Sequence, residues 1–306
     1  MSTPGFVAGP VHVRVPATSA NLGPGFDALG LALSLHDDLV AEVVDEPGLH
    51  IEVEGEGCTD VPRDEHHLVV VAMRRTFEAL HASPAGLRLH AVNRVPHGRG
   101  LGSSAAAIVA GIALARALVV EGASRLDQAG MLDLAHRLEG HPDNVAAALL
   151  GGFTTAWVDD EGAPQAVSRP VHPDVVPVVC VPGTAVATST ARGLLPAQVP
   201  HADAAFNAGR AALLVTALTE RPDLLLAATD DRLHQPQRAA AMPASAALVA
   251  RLRARGLPAV ISGAGPTVLV LTTAGEAGTV AAEAPGFVVD RLAIDAGGVR
   301  EVPPSG

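Results

Sequence analysis

Apolar and polar residues alternate over Val11–Val15, VHVRV, which predicts a half-buried strand that Pro16 ends. A small, polar, Gly-rich stretch follows at Ala17–Gly30. Leu39–Val44 has a continuous apolar centre and His50–Glu54 alternates, so the two read as strands of a meander. Over Glu65–Leu80, Leu68, Val69, Ala72, Arg75 or Thr76, and Ala79 draw one helical stripe. Leu87–Asn93 alternates again and delivers the chain to Pro96–Ser104, PHGRGLGSS. Behind it, Ala105–Val119 turns helical, with Ile108, Ile112 and Ala115 at spacings of four and three. Ser124 reads as the N-cap of a helix in which Met131, Leu134, Ala135 and Leu138 form one face and Gly140 is the stop. Glu139–Asn144, EGHPDN, leads into a short Ala-rich helix closed by Gly151-Gly152, and Phe153–Val158 is a strand.

Asp159–Pro173 is acidic, then proline-containing, and is the best candidate boundary. The expected division is residues 1–165 and 166–306. The second half predicts a strand at Val175–Val181, then helices at Ala204–Leu218, Pro222–Ala228 and Ala244–Arg255. Two short strands, Ala259–Ser262 and Thr267–Thr272, flank a tight Gly-Ala-Gly-Pro turn, and a helix and a strand, Phe287–Ile294, finish the chain. This order suits an α+β layer on an antiparallel sheet.

Composition narrows the class. A chain of 306 residues with 48% hydrophobic content can hold two domains and a sizeable core. Aromatic residues make up 2% and tyrosine is absent, so aliphatic side chains do the packing. A net charge of −11 with no basic run argues against a nucleic-acid partner. Two distant cysteines, Cys58 and Cys180, exclude a disulfide framework and fit a reducing compartment. The N-terminal stretch has no basic region followed by an apolar core, and no apolar run reaches the ~18 residues of a membrane span. The expectation is a cytoplasmic protein without a membrane partner. Lysine is absent, which rules out a Walker-A loop and a protein-kinase strand lysine.

The Gly-rich stretch carries the most chemistry. Gly98, Gly100 and Gly102 precede two hydroxyls and a helix N-terminus. Glycine lets backbone approach a ligand closely, and the helix end offers unpaired N–H groups with partial positive charge. Together they suit phosphate. A dinucleotide fingerprint fits poorly, because Ser103 occupies the third glycine position and strands and a helix precede the loop. EGHPDN gathers Glu139, His141, Asp143 and Asn144, which fit either turn chemistry or a hard-cation site completed by phosphate oxygens. Arg192 in TSTARGLL and Arg238 in HQPQR sit among polar loop residues and suit bidentate carboxylate binding.

Taken together, three blocks in order, PATSANLGPGFDALG, PHGRGLGSSAAA and SGAGPT, resemble those of the GHMP small-molecule kinases, and of homoserine kinases in particular. EGHPDN before a Gly-Gly, and TSTAR, are similar to blocks of the same family. The resemblance implies an α+β, two-domain fold: an N-terminal domain like ribosomal protein S5 and a ferredoxin-like C-terminal domain, with the active site between them. It implies ATP on the loop from Pro96 through His97, Gly98, Arg99, Gly100, Leu101 and Gly102 to Ser103, Ser104 and Ala105, with the adenine side near His67. It implies Mg²⁺ on Ser104 and an acid, Glu139 or Asp133. L-Homoserine would be held by Asn21, Asp27, His141, Asn144, Thr188, Arg192 and Arg238, with Asn21, Asp27 and Arg192 nearest the chemistry.

The implied reaction is ATP-dependent phosphorylation of L-homoserine to O-phospho-L-homoserine, a step in threonine biosynthesis. Phosphoryl transfer needs alignment and charge neutralisation more than covalent help. An unperturbed Asp, with pKa ~3.9, is a weak base at neutral pH, which favours substrate positioning for Asp27. Two alternatives stay open from sequence: a GHMP kinase acting on another small alcohol, and a non-catalytic nucleotide-binding regulator on the same fold. The oligomeric state is open too, with a homodimer carried as an expectation.

Overall fold

The computed structural model describes residues 4–303. The outermost three residues at each end of the expected domain ranges lie outside the described residues. The chain begins with β1 (Val11–Ala20), β2 (Leu29–Val44) and β3 (Gly48–Gly55), then α1 (Leu68–Ala79) and β4 (Gly86–Asn93). Next come α2 (Ser103–Leu118), α3 (Gly122–Arg125), α4 (Gln128–Glu139) and α5 (Pro142–Leu150), followed by β5 (Phe153–Val158) and β6 (Pro164–Arg169). The second half holds β7 (Val176–Pro182), α6 (Thr188–Gly193), α7 (His201–Thr219), α8 (Leu225–Ala228), α9 (Gln235–Arg238) and α10 (Pro243–Ala254). It ends with β8 (Ala259–Ile261), β9 (Val268–Thr272), α11 (Ala277–Glu283), β10 (Phe287–Arg291) and β11 (Arg300–Glu301).

Two sheets result. The first runs β11-β1-β2-β4-β3, with β5 joining β2 and β6 joining β5; the second runs β10-β7-β9-β8. Several expectations change in three dimensions. β1 continues through Pro16 to Ala20, because the register shifts between Pro16 and Ala17 and a bulge tolerates the missing N–H. The expected meander does not form: β4 lies between β2 and β3 and pairs with β3 in parallel. The α1 crossover that links β3 to β4 makes that parallel pairing possible. Asp127, not Ser124, caps α4, accepting the Gly130 N–H at 2.8 Å. The segment read as a boundary contains β6, so residue 165 falls inside a strand paired with β5. The tail returns to the first sheet, where β11 pairs with β1.

Apolar packing explains the division of labour. One core lies between the first sheet and α1, α2, α4 and α5, with Val15, Leu39, Phe77, Ile108 and Ile112 at its centre. A third cluster packs α10 and α11 on the second sheet through Leu248, Leu252 and Val280. The cluster between them joins the halves, setting Leu22, Leu31 and Leu101 against Val179, Leu214 and Leu269. An apolar junction of this kind holds the two sheets in one arrangement, and it places the Gly-rich loop against the β8–β9 turn.

Candidate active site

The Gly-rich loop enters α2 with left-handed backbone at Gly100 (φ 78°) and Gly102 (φ 70°). A Cβ at Gly100 would lie 2.3 Å from the Ser262 carbonyl oxygen, and one at Gly102 would lie 1.9 Å from Thr18 Oγ1. Conformation and close approach therefore both demand glycine. Gly102 offers α2 no side-chain cap, which leaves the first N–H groups of this helix open to an anion. The Ser104 hydroxyl donates to Glu139 Oε2 at 2.7 Å, bringing the end of α4 to the start of α2. Asp133 instead pairs with Arg137 at 2.8 Å.

Asn21, Asp27, His141, Asn144, Thr188 and Arg192 open on one cleft of about 170 Å³, with Arg238 in the same wall. Asp27 and Arg192 form a bidentate pair, 2.7 and 3.2 Å. Asn21 is 96% buried by its neighbours, at 4% exposure, and its amide is committed on both sides. Its oxygen accepts the Asp27 N–H at 3.0 Å and its nitrogen donates to the Gly263 carbonyl at 2.9 Å. Asn21, Leu22 and Asp27 all have positive φ (68°, 49° and 55°), so this bracket holds a strained turn. Asn144 Oδ1 accepts from Thr18 Oγ1 at 2.8 Å, which turns its amide nitrogen away from Thr18. Burial, aided by the charge of Arg192, pushes the His141 imidazole below its ordinary pKa. Asp143 lines the same cleft at 3% exposure, and burial pushes its carboxyl up to about 7.

A second cavity of about 260 Å³ lies on the other side of Ser103 and Ser104, which line both spaces. Its walls include Leu39, Val61, Pro62 and Leu68. His67, 5% exposed, lines it with a buried Nδ1 that among the described residues has no hydrogen-bond partner. Burial first, then the nearby His97, keeps this ring below its ordinary pKa and neutral. Asp37 accepts the Arg94 and Val95 N–H groups at 2.6 and 2.9 Å, pinning the chain as it enters the loop.

Not every expected residue faces a cavity. Pro96, Arg99, Leu101 and Ala105 line neither. The Arg99 guanidinium reaches the Pro182 and Gly183 carbonyls at 3.0 and 2.9 Å, so it clamps the loop to the second half. Leu101 is fully buried in the joining core. His97 lines the apolar cavity and Gly98 the polar cleft. Arg192 and Arg238 lie on short helices, not in loops, and Arg238 is 2% exposed. Sequence reasoning weighed Asp143 only as one member of EGHPDN, for turn chemistry or a hard cation, and assigned no role to Thr18, Asp37 or His234. Thr18 and His234 also lay inside blocks already quoted and Asp37 lay in none; the partners of all three are remote in sequence, so nothing local marks their role.

This arrangement, a glycine loop feeding a helix between an apolar cavity and a charged cleft, can be compared with known proteins. A family model for the GHMP kinase N-terminal domain matches residues 67–152, and one for the GHMP kinase C-terminal domain matches residues 205–289. The homoserine kinase of Streptomyces coelicolor is 60% identical over 304 residues, 99% of this chain and 98% of that one. The chain belongs to the homoserine kinase family of GHMP kinases. The Mycobacterium tuberculosis homoserine kinase is 51% identical over 287 residues, 92% of this chain and 90% of that one. The crystal structure of homoserine kinase from Cytophaga hutchinsonii superposes with a TM-score of 0.84 at 27% identity, covering 96% and 97% of the two chains. This GHMP kinase is a phosphotransferase that uses ATP. Among the described residues no helix is long and apolar enough to cross a membrane.

Proposed function

We propose that this kinase transfers the γ-phosphoryl group of Mg-ATP to the side-chain hydroxyl of L-homoserine, within threonine biosynthesis. One observation carries the reading: the apolar cavity and the polar cleft meet at Ser103 and Ser104. A polyphosphate laid over the α2 N-terminus then has its base in the first space and its terminal phosphate at the mouth of the second. The unpartnered His67 Nδ1 supplies a hydrogen-bonding group for the base.

The acceptor cleft suits a zwitterion. Arg192 and Arg238 offer guanidinium groups to a carboxylate, and Asp27 offers a carboxylate to an ammonium group. An acceptor without an ammonium group, such as mevalonate, would offer Asp27 no cation besides Arg192. Asn21 positions the Asp27 turn through its two committed hydrogen bonds. His141, Asn144 and Thr188 complete the wall that orients the hydroxyl. Ser104 and Glu139 supply a hydroxyl and a carboxylate 2.7 Å apart, a donor set that fits Mg²⁺ shared with phosphate oxygens. Among the described residues no cluster of three or more His, Cys, Asp and Glu forms a metal cage, in keeping with a cation held largely by phosphate. When bound, Mg²⁺ neutralises polyphosphate charge. The α2 N–H groups stabilise charge that develops as the phosphoryl group moves, and the cleft aligns the attacking oxygen.

The same reading divides the chain into an ATP-binding half and a C-terminal half near residue 165, with the tail returning to the first half. It includes a cytoplasmic location and a homodimer, the latter checked by light scattering. The deciding experiment is a coupled ADP-release assay across L-homoserine, L-threonine, L-serine and mevalonate. L-Homoserine is expected to show the highest kcat/KM. Preference for mevalonate, or ADP release indifferent to every acceptor, would overturn the assignment.

A further inference from the structure

His234 has no place in the reaction as read above, yet it is completely buried one helical turn before Arg238. Its two ring nitrogens have different partners. Nε2 lies 2.7 Å from the Gly23 carbonyl oxygen, which only accepts, so Nε2 carries the proton. Nδ1 lies 3.2 Å from Arg238 Nη1, which only donates, so Nδ1 presents its lone pair. The ring is thus a neutral imidazole in a single tautomer, and a second proton would point an N–H at the guanidinium. The Asp231 carboxylate fixes the backbone beneath, accepting the N–H groups of Leu233, His234 and Gln235 at 2.8, 3.2 and 2.8 Å.

The surroundings of Arg238 show what this accomplishes. Its remaining hydrogen bonds go to the Ala191 and Gly263 carbonyls at 3.2 and 3.4 Å, and its guanidinium carbon lies 5.3 Å from the Phe26 ring centre. Among the described residues none of its hydrogen-bond partners is a carboxylate, whereas Arg192 already holds Asp27. Arg238 is therefore a buried cation held by neutral acceptors beside a cleft that admits an anionic group. Among the described residues His234 is its one side-chain hydrogen-bond acceptor, and the same ring grips the Gly23 carbonyl in the turn that carries Asp27.

We propose that His234 is a positioning residue for the acceptor substrate: it aims Arg238 at the substrate carboxylate and locks that arginine to the Asn21–Asp27 turn. This rests on the reading of Arg238 as a carboxylate ligand. Steady-state kinetics of His234→Phe, His234→Gln, Arg238→Met and the Arg238→Met/His234→Phe double variant test it, with thermal unfolding as the control for folding. His234→Phe keeps the ring shape and removes both nitrogens. Its homoserine KM should rise about tenfold, a decade being the scale of one charge-assisted contact, while its ATP KM stays near that of the parent. His234→Gln presents an oxygen and an N–H about as far apart as the ring nitrogens and should restore most of the loss. Adding His234→Phe to Arg238→Met should change homoserine KM little, because the two residues act in series. Should His234→Phe not fold, His234→Leu, which offers Arg238 no acceptor, replaces it with the same expectation. A folded His234 variant with parental homoserine KM, a glutamine variant as impaired as the phenylalanine one, or full additivity with Arg238→Met would each overturn the proposal. If Arg238→Met alone leaves homoserine KM unchanged, the carboxylate role of Arg238 falls and the proposal falls with it.

Discussion

Asp27 and Arg192 stand 165 residues apart in the chain, and their side chains meet in a bidentate pair of 2.7 and 3.2 Å in the wall of the polar cleft. Each side chain is 35% exposed, so water screens the pair and a ligand can reach both charges. On the proposed reading, the amino-acid substrate carries the complementary charges and inserts its carboxylate and ammonium between them. Arg192→Leu should then raise homoserine KM at least about tenfold, since hydrogen bonds to charged groups are worth roughly 1.5–3 kcal/mol. The ATP KM should hold steady. The Asp27→Asn/Arg192→Leu double variant should lose less than the two single losses together. Bisubstrate kinetics check all three; a raised ATP KM with an unchanged homoserine KM would move Arg192 to the phosphates.

The Ser104 hydroxyl donates to the Glu139 carboxylate and ties the start of α2 to the end of α4. Ser104→Ala and Glu139→Gln should both depress kcat and raise the Mg²⁺ concentration needed for half-maximal rate. Neither should alter homoserine KM as strongly as Arg192→Leu. Mg²⁺ titrations at saturating substrates measure the shift, and a parental Mg²⁺ curve in both variants would remove the pair from the metal.

The buried Nδ1 of His67 lacks a partner in a cavity lined by Leu39, Val61 and Pro62. His67→Phe keeps the shape and should raise ATP KM by a factor of about 2–10, as loss of one neutral hydrogen bond worth about 0.5–1.5 kcal/mol implies. Homoserine KM should be unaffected. Nucleotide titration followed by calorimetry provides the check, with equal affinity in the variant counting against the base pocket.

Asp143 makes stability depend on pH. Burial pushes its carboxyl up to about 7 in the fold, against ~3.9 in an unfolded chain. A raised folded-state pKa favours the protonated form. Its stabilising contribution is therefore fully present below the unfolded pKa and is lost as pH rises through the folded one. Unfolding free energy attributable to this group should fall between roughly pH 4 and 7, by an amount on the order of a few kcal/mol. Asp143→Asn should flatten that decline, leaving the variant more stable relative to the parent at pH 8 than at pH 4. Urea unfolding at the two pH values tests this, and parallel pH profiles would refute it.

The Gly-rich loop, the helix behind it and the α+β order were legible in the residues alone. Glycine at positions that need positive φ, hydroxyls at a helix start and apolar spacing of three and four are local signals, set by steric and hydrogen-bonding rules within a few residues. So were several residues that line the polar cleft, because Asn21, Asp27, His141, Asn144 and the two arginines sit in recognisable blocks. The partners of those residues were not legible. Asn21 is held by Gly263, Arg99 by Pro182, and Arg238 by His234, itself bonded to Gly23, through contacts that exist only once the two sheets pack on their shared apolar core. The same packing decided that β3 pairs with β4 in parallel, since local alternation specifies a strand but not its neighbour. It also raised Asp143 from a turn residue to a buried carboxyl, because desolvation depends on what the whole chain places around a group and not on the group's own sequence.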